Sequence, residues 1–163
     1  MHTVRGPLAM LASLAVVAAC GALGSHTTAN STAVDATARR SHEAYTAAIN
    51  SNNLDSLLAM CTEDVVFQSP NEPEVAGKAA VRAWSAAYLK AYTIHWDKTV
   101  TEFTMAGDWA FERYAYKEHD IPSGGGAAVT DTGKGLVIYH HDSDGKWRVA
   151  RDAWNSDLPR PAA

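Results

Sequence analysis

The segment Lys146-Trp147-Arg148-Val149-Ala150-Arg151-Asp152-Ala153-Trp154-Asn155-Ser156-Asp157 sets ionisable groups among aromatic ones at alternating positions. Read as a strand, one face carries Trp147, Val149, Arg151, Ala153 and Asn155, and the other Arg148, Ala150, Asp152 and Trp154. Neither face is wholly apolar, as expected where a strand lines a polar-floored pocket as well as a packed core. Asp152 beside Trp154 is a candidate proton-transfer group, because apolar surroundings tune a carboxyl toward acid–base work. His141 could join Asp152 as a base dyad, and His95 could equally approach the same pocket. For these and for His42, His119 and His140, a surface or hydrogen-bonded role is the stronger reading. His140 and His141 are adjacent, so on a strand they point to opposite faces and cannot both ligate one metal. No metal is expected.

The elements that must position these groups follow from periodicity. From Asp35, Ala38, Tyr45, Ala48 and Ile49 keep helical spacing, and Asn50-Ser51-Asn52-Asn53 predicts a stop. A short helix opens near Asp55, with Leu54, Leu57, Leu58 and Cys61 on its buried side. Val65-Val66-Phe67-Gln68 predicts a strand ended by Ser69-Pro70-Asn71-Glu72-Pro73. A third helix runs from about Lys78 to Tyr92. Strands over 93–106, 108–119, 130–142 and 146–156 then form an antiparallel meander. In the second of these, parity groups Trp109, Phe111, Arg113, Ala115 and Lys117. Gly124-Gly125-Gly126 lacks the strand-to-helix setting and the Lys-Ser/Thr of a phosphate loop, so it reads as a hairpin tip. Asp142-Ser143-Asp144-Gly145 is a turn rather than a calcium loop, since no glutamate follows at the required distance. No cofactor is implied.

The N-terminus carries its own signals. Arg5 precedes the apolar run Pro7 to Ala19, which is too short to span a bilayer as a helix and predicts a signal peptide over 1–19. Val17-Ala18-Ala19-Cys20 resembles a lipobox, in which Cys20 becomes the lipidated mature terminus; the alternative is an ordinary secretory cleavage site. Cys61 is then without a partner and reads as an inert buried thiol. Gly21 to Val34, free of aromatics, reads as a flexible tether. Residues 35–159, roughly 125 in number, suffice for one domain. The net charge of −4 and the scattered basic residues argue against a nucleic-acid face.

Helices first and a meander after them predict an α+β domain with a curved sheet wrapped around three helices. This order, with Tyr45-Thr46-Ala47-Ala48-Ile49-Asn50, Leu54-Asp55-Ser56-Leu57-Leu58, Asp64-Val65-Val66-Phe67, Gly77-Lys78-Ala79-Ala80-Val81 and the ending Trp147 to Pro159, resembles the nuclear-transport-factor-2-like (NTF2-like) superfamily. Within it the chain is most similar to the SnoaL-like and DUF4440 proteins, relatives of ketosteroid isomerase. The resemblance implies a cone-shaped fold and a homodimer built through the outer face of the meander. It implies a pocket into which Trp109, Phe111 and Arg113 look from one strand, Val137, Tyr139 and His141 from the next, and Asp152 and Trp154 from the last.

Residue roles follow from the same resemblance. Tyr45 matches the first-helix tyrosine of the isomerases' oxyanion hole, and Tyr139 falls on its acidic partner. The base position falls on Ser69, and a serine moves no proton between carbons at neutral pH without a base beside it. Arg113 and Asp152 match the arginine and one carboxylate of the limonene-epoxide-hydrolase relatives; Ala115 stands where the second carboxylate would be. Arg113 and Asp152, buried together, would have to pair with each other or with a ligand. The expected function is binding of a small apolar or amphipathic molecule by an envelope-anchored domain. Isomerase, cyclase or dehydratase chemistry would rest on Asp152, Arg113, Tyr45, Tyr139 and His141, with Trp109, Phe111, Trp154 and Ser69 contacting the ligand. The alternative is a non-catalytic binding or interaction module with a structural Arg113–Asp152 pair.

Overall fold

Ten elements follow in chain order: α1 (Ala22–Asn50), α2 (Leu54–Ala59), β1 (Cys61–Gln68), β2 (Val75–Ala76), α3 (Lys78–Ala91), β3 (Tyr92–Thr93), β4 (Trp96–Ala106), β5 (Trp109–Pro122), β6 (Val129–His141) and β7 (Trp147–Ser156). The structure is a computed structural model and describes residue 2 and residues 22–159. Cys20 and the expected signal peptide therefore lie outside the described residues, apart from His2. The segment expected as a tether is helical from Ala22, so α1 begins before Asp35.

The sheet runs in the order β2-β1-β7-β6-β5-β3, with β4 also paired to β5. All pairings are antiparallel except β1 with β7. The sheet curls strongly into a half-barrel around the helices, giving the expected α+β cone. The inner stripe of α1 is Ala38, Ser41, Tyr45 and Ala48, spaced three or four residues apart and buried. Asn53 caps α2 by accepting the Ser56 backbone N–H at 2.9 Å on its side-chain oxygen. Cys61 is fully buried, its thiol 3.5 Å from the Leu57 carbonyl, and burial pushes its pKa up to about 12. The thiol is buried, as expected.

The Asn-rich stop after α1 has a tertiary role that its composition conceals. Asn50 accepts from the Trp96 N–H at 2.8 Å and donates to the Trp96 carbonyl at 2.9 Å. Asn52 does the same to Ile94, at 2.7 and 3.0 Å. Two amide side chains thus replace a neighbouring strand at the entrance to β4 and hold Trp96 against the core.

Parity overturns one expectation. Along β5 the buried positions are Ala110, Glu112, Tyr114, Tyr116 and Asp120, while Trp109, Phe111, Arg113, Ala115 and Lys117 are exposed. The inward face is the opposite of the one expected. On β7 the faces are mixed because the ladder to β6 shifts register between Ile138 and Tyr139, pairing Ile138 with Arg151 and Tyr139 with Val149. Ala150 is the extra residue of this bulge, so Trp147 and Val149 point inward before it and Asp152 after it.

Candidate active site

A cavity of about 260 Å³ opens between α1, α3 and the sheet, reached by Tyr45, Phe67, Trp84, Trp96, Asp152 and Trp154 among others. Three indoles shape it. Trp154 meets Trp84 at 69° and Trp96 at 82°, with ring centroids 6.3 and 6.0 Å apart, and Phe67 meets Trp84 at 87° and Trp154 at 79°. Trp96 stacks on Tyr116 at 4.6 Å, and Trp84 on Tyr88 at 5.5 Å.

Asp152 is 4% exposed and accepts two phenolic hydrogens: Tyr45 donates to Oδ2 and Tyr114 to Oδ1, each at 2.9 Å. Lys98 Nζ lies 4.0 Å from Oδ2 on a wholly buried side chain. Nζ has no hydrogen-bond partner and is cradled by the Tyr114 ring at 3.7 Å and the Tyr45 ring at 4.8 Å. Burial pushes the Asp152 carboxyl up and the Lys98 ammonium down, while each group's charge opposes the other's shift. Both hydroxyl donors are aimed at the carboxylate form, and the ammonium faces two π-clouds, so the geometry supports the ionised pair. Burial, followed by the nearby Asp152 charge, raises Tyr45 and Tyr114 far above the ordinary phenol value, so both remain hydrogen donors.

A second carboxyl sits deeper. Glu112 is fully buried, with His42 Nδ1 2.8 Å from Oε1 and Tyr139 donating to Oε2 at 3.0 Å. At the other end of β5, the Tyr88 hydroxyl reaches Asp120 Oδ2 at 2.6 Å and Glu118 Oε1 at 3.1 Å. Burial first, then the hydrogen bond and charge of Asp120, raise Glu118 to about 8.

Tyr114 can lie across the sheet because its partner on β6 is Gly135. A Cβ at Gly135 would fall on the Tyr114 ring and hydroxyl, and one at Gly133 on the Tyr116 ring and the Asn155 carbonyl. Both glycines leave room for side chains that cross the strand.

Of the expected site residues, Asp152, Tyr45, Trp154 and Ser69 come together on the cavity. Arg113 does not. It is on the outer face, bound to Glu102 at 2.8 Å, and the expected Arg113–Asp152 pair is replaced by Lys98–Asp152. Trp109 and Phe111 are outside too, exposed by 39% and 37%. Tyr139 is buried but spends its hydroxyl on Glu112. His141 stacks on Trp147 at 4.9 Å and makes no dyad, both Asp152 oxygens being engaged by tyrosines. Ser69 donates to Glu72 Oε2 at 2.9 Å, the same oxygen that takes the Trp84 indole hydrogen at 3.0 Å. The residues missed were Lys98, Glu112, Tyr114 and Glu118. One signal was present: the inner set Glu112, Tyr114 and Tyr116 lies opposite the small Val137, Gly135 and Gly133, which leave space for phenol rings. Among the described residues no group of three His, Cys, Asp or Glu is placed to hold a metal ion.

Residues 42–150, most of this domain, match the SnoaL-like domain family. The chain belongs to that family. This SnoaL-like domain is similar in structure to a ketosteroid isomerase-like protein from Erwinia carotovora atroseptica, with a TM-score of 0.70 and 22% identity over 76% of this chain and 96% of that one. A conserved protein from Planctomyces limnophilus superposes with a TM-score of 0.69 at 24% identity, over 77% and 98% of the two chains. A candidate dehydratase of the NTF2-like family from Streptomyces avermitilis gives 0.67 at 15% identity, over 76% and 96%. At these identities the likeness establishes the NTF2-like cone for the SnoaL-like domain. Among curated proteins none matches the chain.

Proposed function

We propose that this domain binds a small amphipathic molecule in its aromatic cavity and carries out acid–base chemistry on it through Asp152, in the manner of an isomerase, cyclase or dehydratase. The observation that carries this reading is Asp152 itself: a buried carboxyl that lines the cavity while two tyrosine hydroxyls and a buried ammonium hold it in place. The cavity is smaller than the roughly 300–1,000 Å³ of drug-sized sites, so its occupant is small. Tyr45 lines the same cavity. A ligand oxygen gaining negative charge would draw the Tyr45 hydrogen bond away from Asp152 Oδ2, and that oxygen, relieved of its donor, would accept the proton leaving carbon. The named likenesses to isomerase-like and dehydratase-like structures support the same class.

The test is deuterium uptake. Small aromatic ketones that bind the protein, found by thermal shift, are incubated with it in D2O and followed by NMR for exchange at the carbon beside the carbonyl. Wild type should exchange, and Asp152→Asn should lose about 100-fold or more of that rate. Exchange that survives Asp152→Asn refutes the role. Binding without exchange supports the second reading, a non-catalytic binding module, which the full engagement of both Asp152 oxygens favours.

The anchor and the dimer belong to the same proposal. Lipid on Cys20 would hold the domain at the cell envelope. A partner copy would cover the outer sheet face, where Trp109, Phe111 and Leu136 stand exposed. Trp147 and Val149, expected on that face, are in the core instead.

A further inference from the structure

We propose that the molecule taken by this cavity carries a positive charge, an ammonium or other organic cation on a small apolar body. This rests on the binding reading above and names the ligand class. Four acidic side chains, Glu72, Glu118, Asp131 and Asp152, border the cavity, and no Lys, Arg or His does. Asp152 has Lys98 behind it. Among the described residues, Glu72, Glu118 and Asp131 have no cationic partner within ion-pair distance; what they have are neutral donors. Ser69 and Trp84 serve Glu72, Tyr88 serves Glu118, and Tyr116 and Ser156 serve Asp131 at 2.8 and 2.6 Å. Acidic groups gathered round a half-enclosed apolar hollow repel one another and an anionic ligand, and they gain from a cation that none of the lining side chains supplies.

The walls point the same way, independently of the acids. Trp84, Trp96 and Trp154 meet at steep angles around the hollow, and Tyr45, Tyr88 and Phe67 complete it. An organic cation set over the faces of such rings is attracted through their quadrupoles, most strongly when the rings are indoles and water is excluded. Lys98, in contact with the Tyr45 and Tyr114 rings but not lining the cavity, shows the same preference satisfied internally just behind it. An aromatic hollow with acids round it and no bordering base accommodates a cation better than a neutral or anionic molecule of equal shape.

Three probes of matched shape test this: benzyltrimethylammonium, its uncharged isostere neopentylbenzene, and the anion benzylsulfonate, each titrated calorimetrically into the full chain in detergent. The ammonium should bind about tenfold or more tighter than either of the others. Trp84→Leu and Glu72→Gln should each weaken the ammonium about fivefold or more while leaving neopentylbenzene within about twofold. Equal or tighter binding of the neutral or anionic probe overturns cation selection and leaves the binding reading standing. If none of the three binds, cation selection falls, and the ketone screen above decides the binding reading.

Discussion

Tyr114 donates its hydroxyl hydrogen to Asp152 Oδ1 at 2.9 Å, and it does so from a ring laid over the place where Gly135 has no side chain. The site therefore depends on an atom that is absent from the neighbouring strand. Gly135→Ala should shift the ring, break the bond to Asp152 and cost about 1–3 kcal/mol in denaturant unfolding. Tyr114→Phe, which loses the bond but keeps the ring in place, should cost about 1.5–3 kcal/mol, the usual worth of a hydrogen bond to a charged group. Paired with Gly135→Ala, it should give less than the sum, since both changes remove the same bond.

The charge partner of Asp152 is Lys98, and a double-mutant cycle reads that directly. Asp152→Asn or Lys98→Met alone should each cost about 3–5 kcal/mol, because each strands a buried charge. Lys98→Met with Asp152→Leu should recover part of that loss. The same cycle on Arg113 and Asp152 should show coupling within about 0.5 kcal/mol of zero, since Arg113 is spent on Glu102 at the surface. Substantial coupling there would contradict the strand parity described above.

Glu118 makes stability depend on pH in a direction unusual for a carboxyl. Its pKa rises from 4.5 to about 8 on folding, through burial first and then Asp120, with Tyr88 and Trp96 hydrogen bonds opposing the shift. The folded state holds that proton more tightly than the unfolded chain does. The contribution is fully present below about pH 4.5 and is lost as pH rises to about 8, where the proton leaves the folded state as well. Urea midpoints measured every half unit from pH 5 to pH 9 should fall toward the alkaline end. In Glu118→Gln that decline should flatten; a slope unchanged by the substitution would assign it to another group.

The proposed anchor is tested by metabolic labelling with an alkyne fatty acid in the bacterial host. The native chain should be labelled and sediment with membranes, and Cys20→Ser should be neither. Several acyl chains, each methylene worth about 0.8 kcal/mol when buried, hold a protein on a bilayer far more firmly than one chain does. Equal labelling of Cys20→Ser would dispose of the lipobox reading.

Periodicity alone placed α2, α3 and the four long strands within a few residues, and with them the α+β order of helices before a meander, because local side-chain spacing reports which element a segment forms; the cone followed from the family resemblance. It also established which residues share a face: Asp152 with Trp154, Arg113 with Phe111. Which face of β5 turns inward was decided only in three dimensions. By composition alone, the outer set with Trp109 and Phe111 is the better candidate for a core than the inner set with Glu112 and Asp120. A carboxyl enters a core only when donors meet it, and those of Glu112 come from His42, 70 positions away, and Tyr139, 27 away, distances over which no local pattern reports. The bulge at Ala150, which turns Asp152 inward after Trp147 and Val149, is likewise a property of the β6–β7 ladder rather than of either strand.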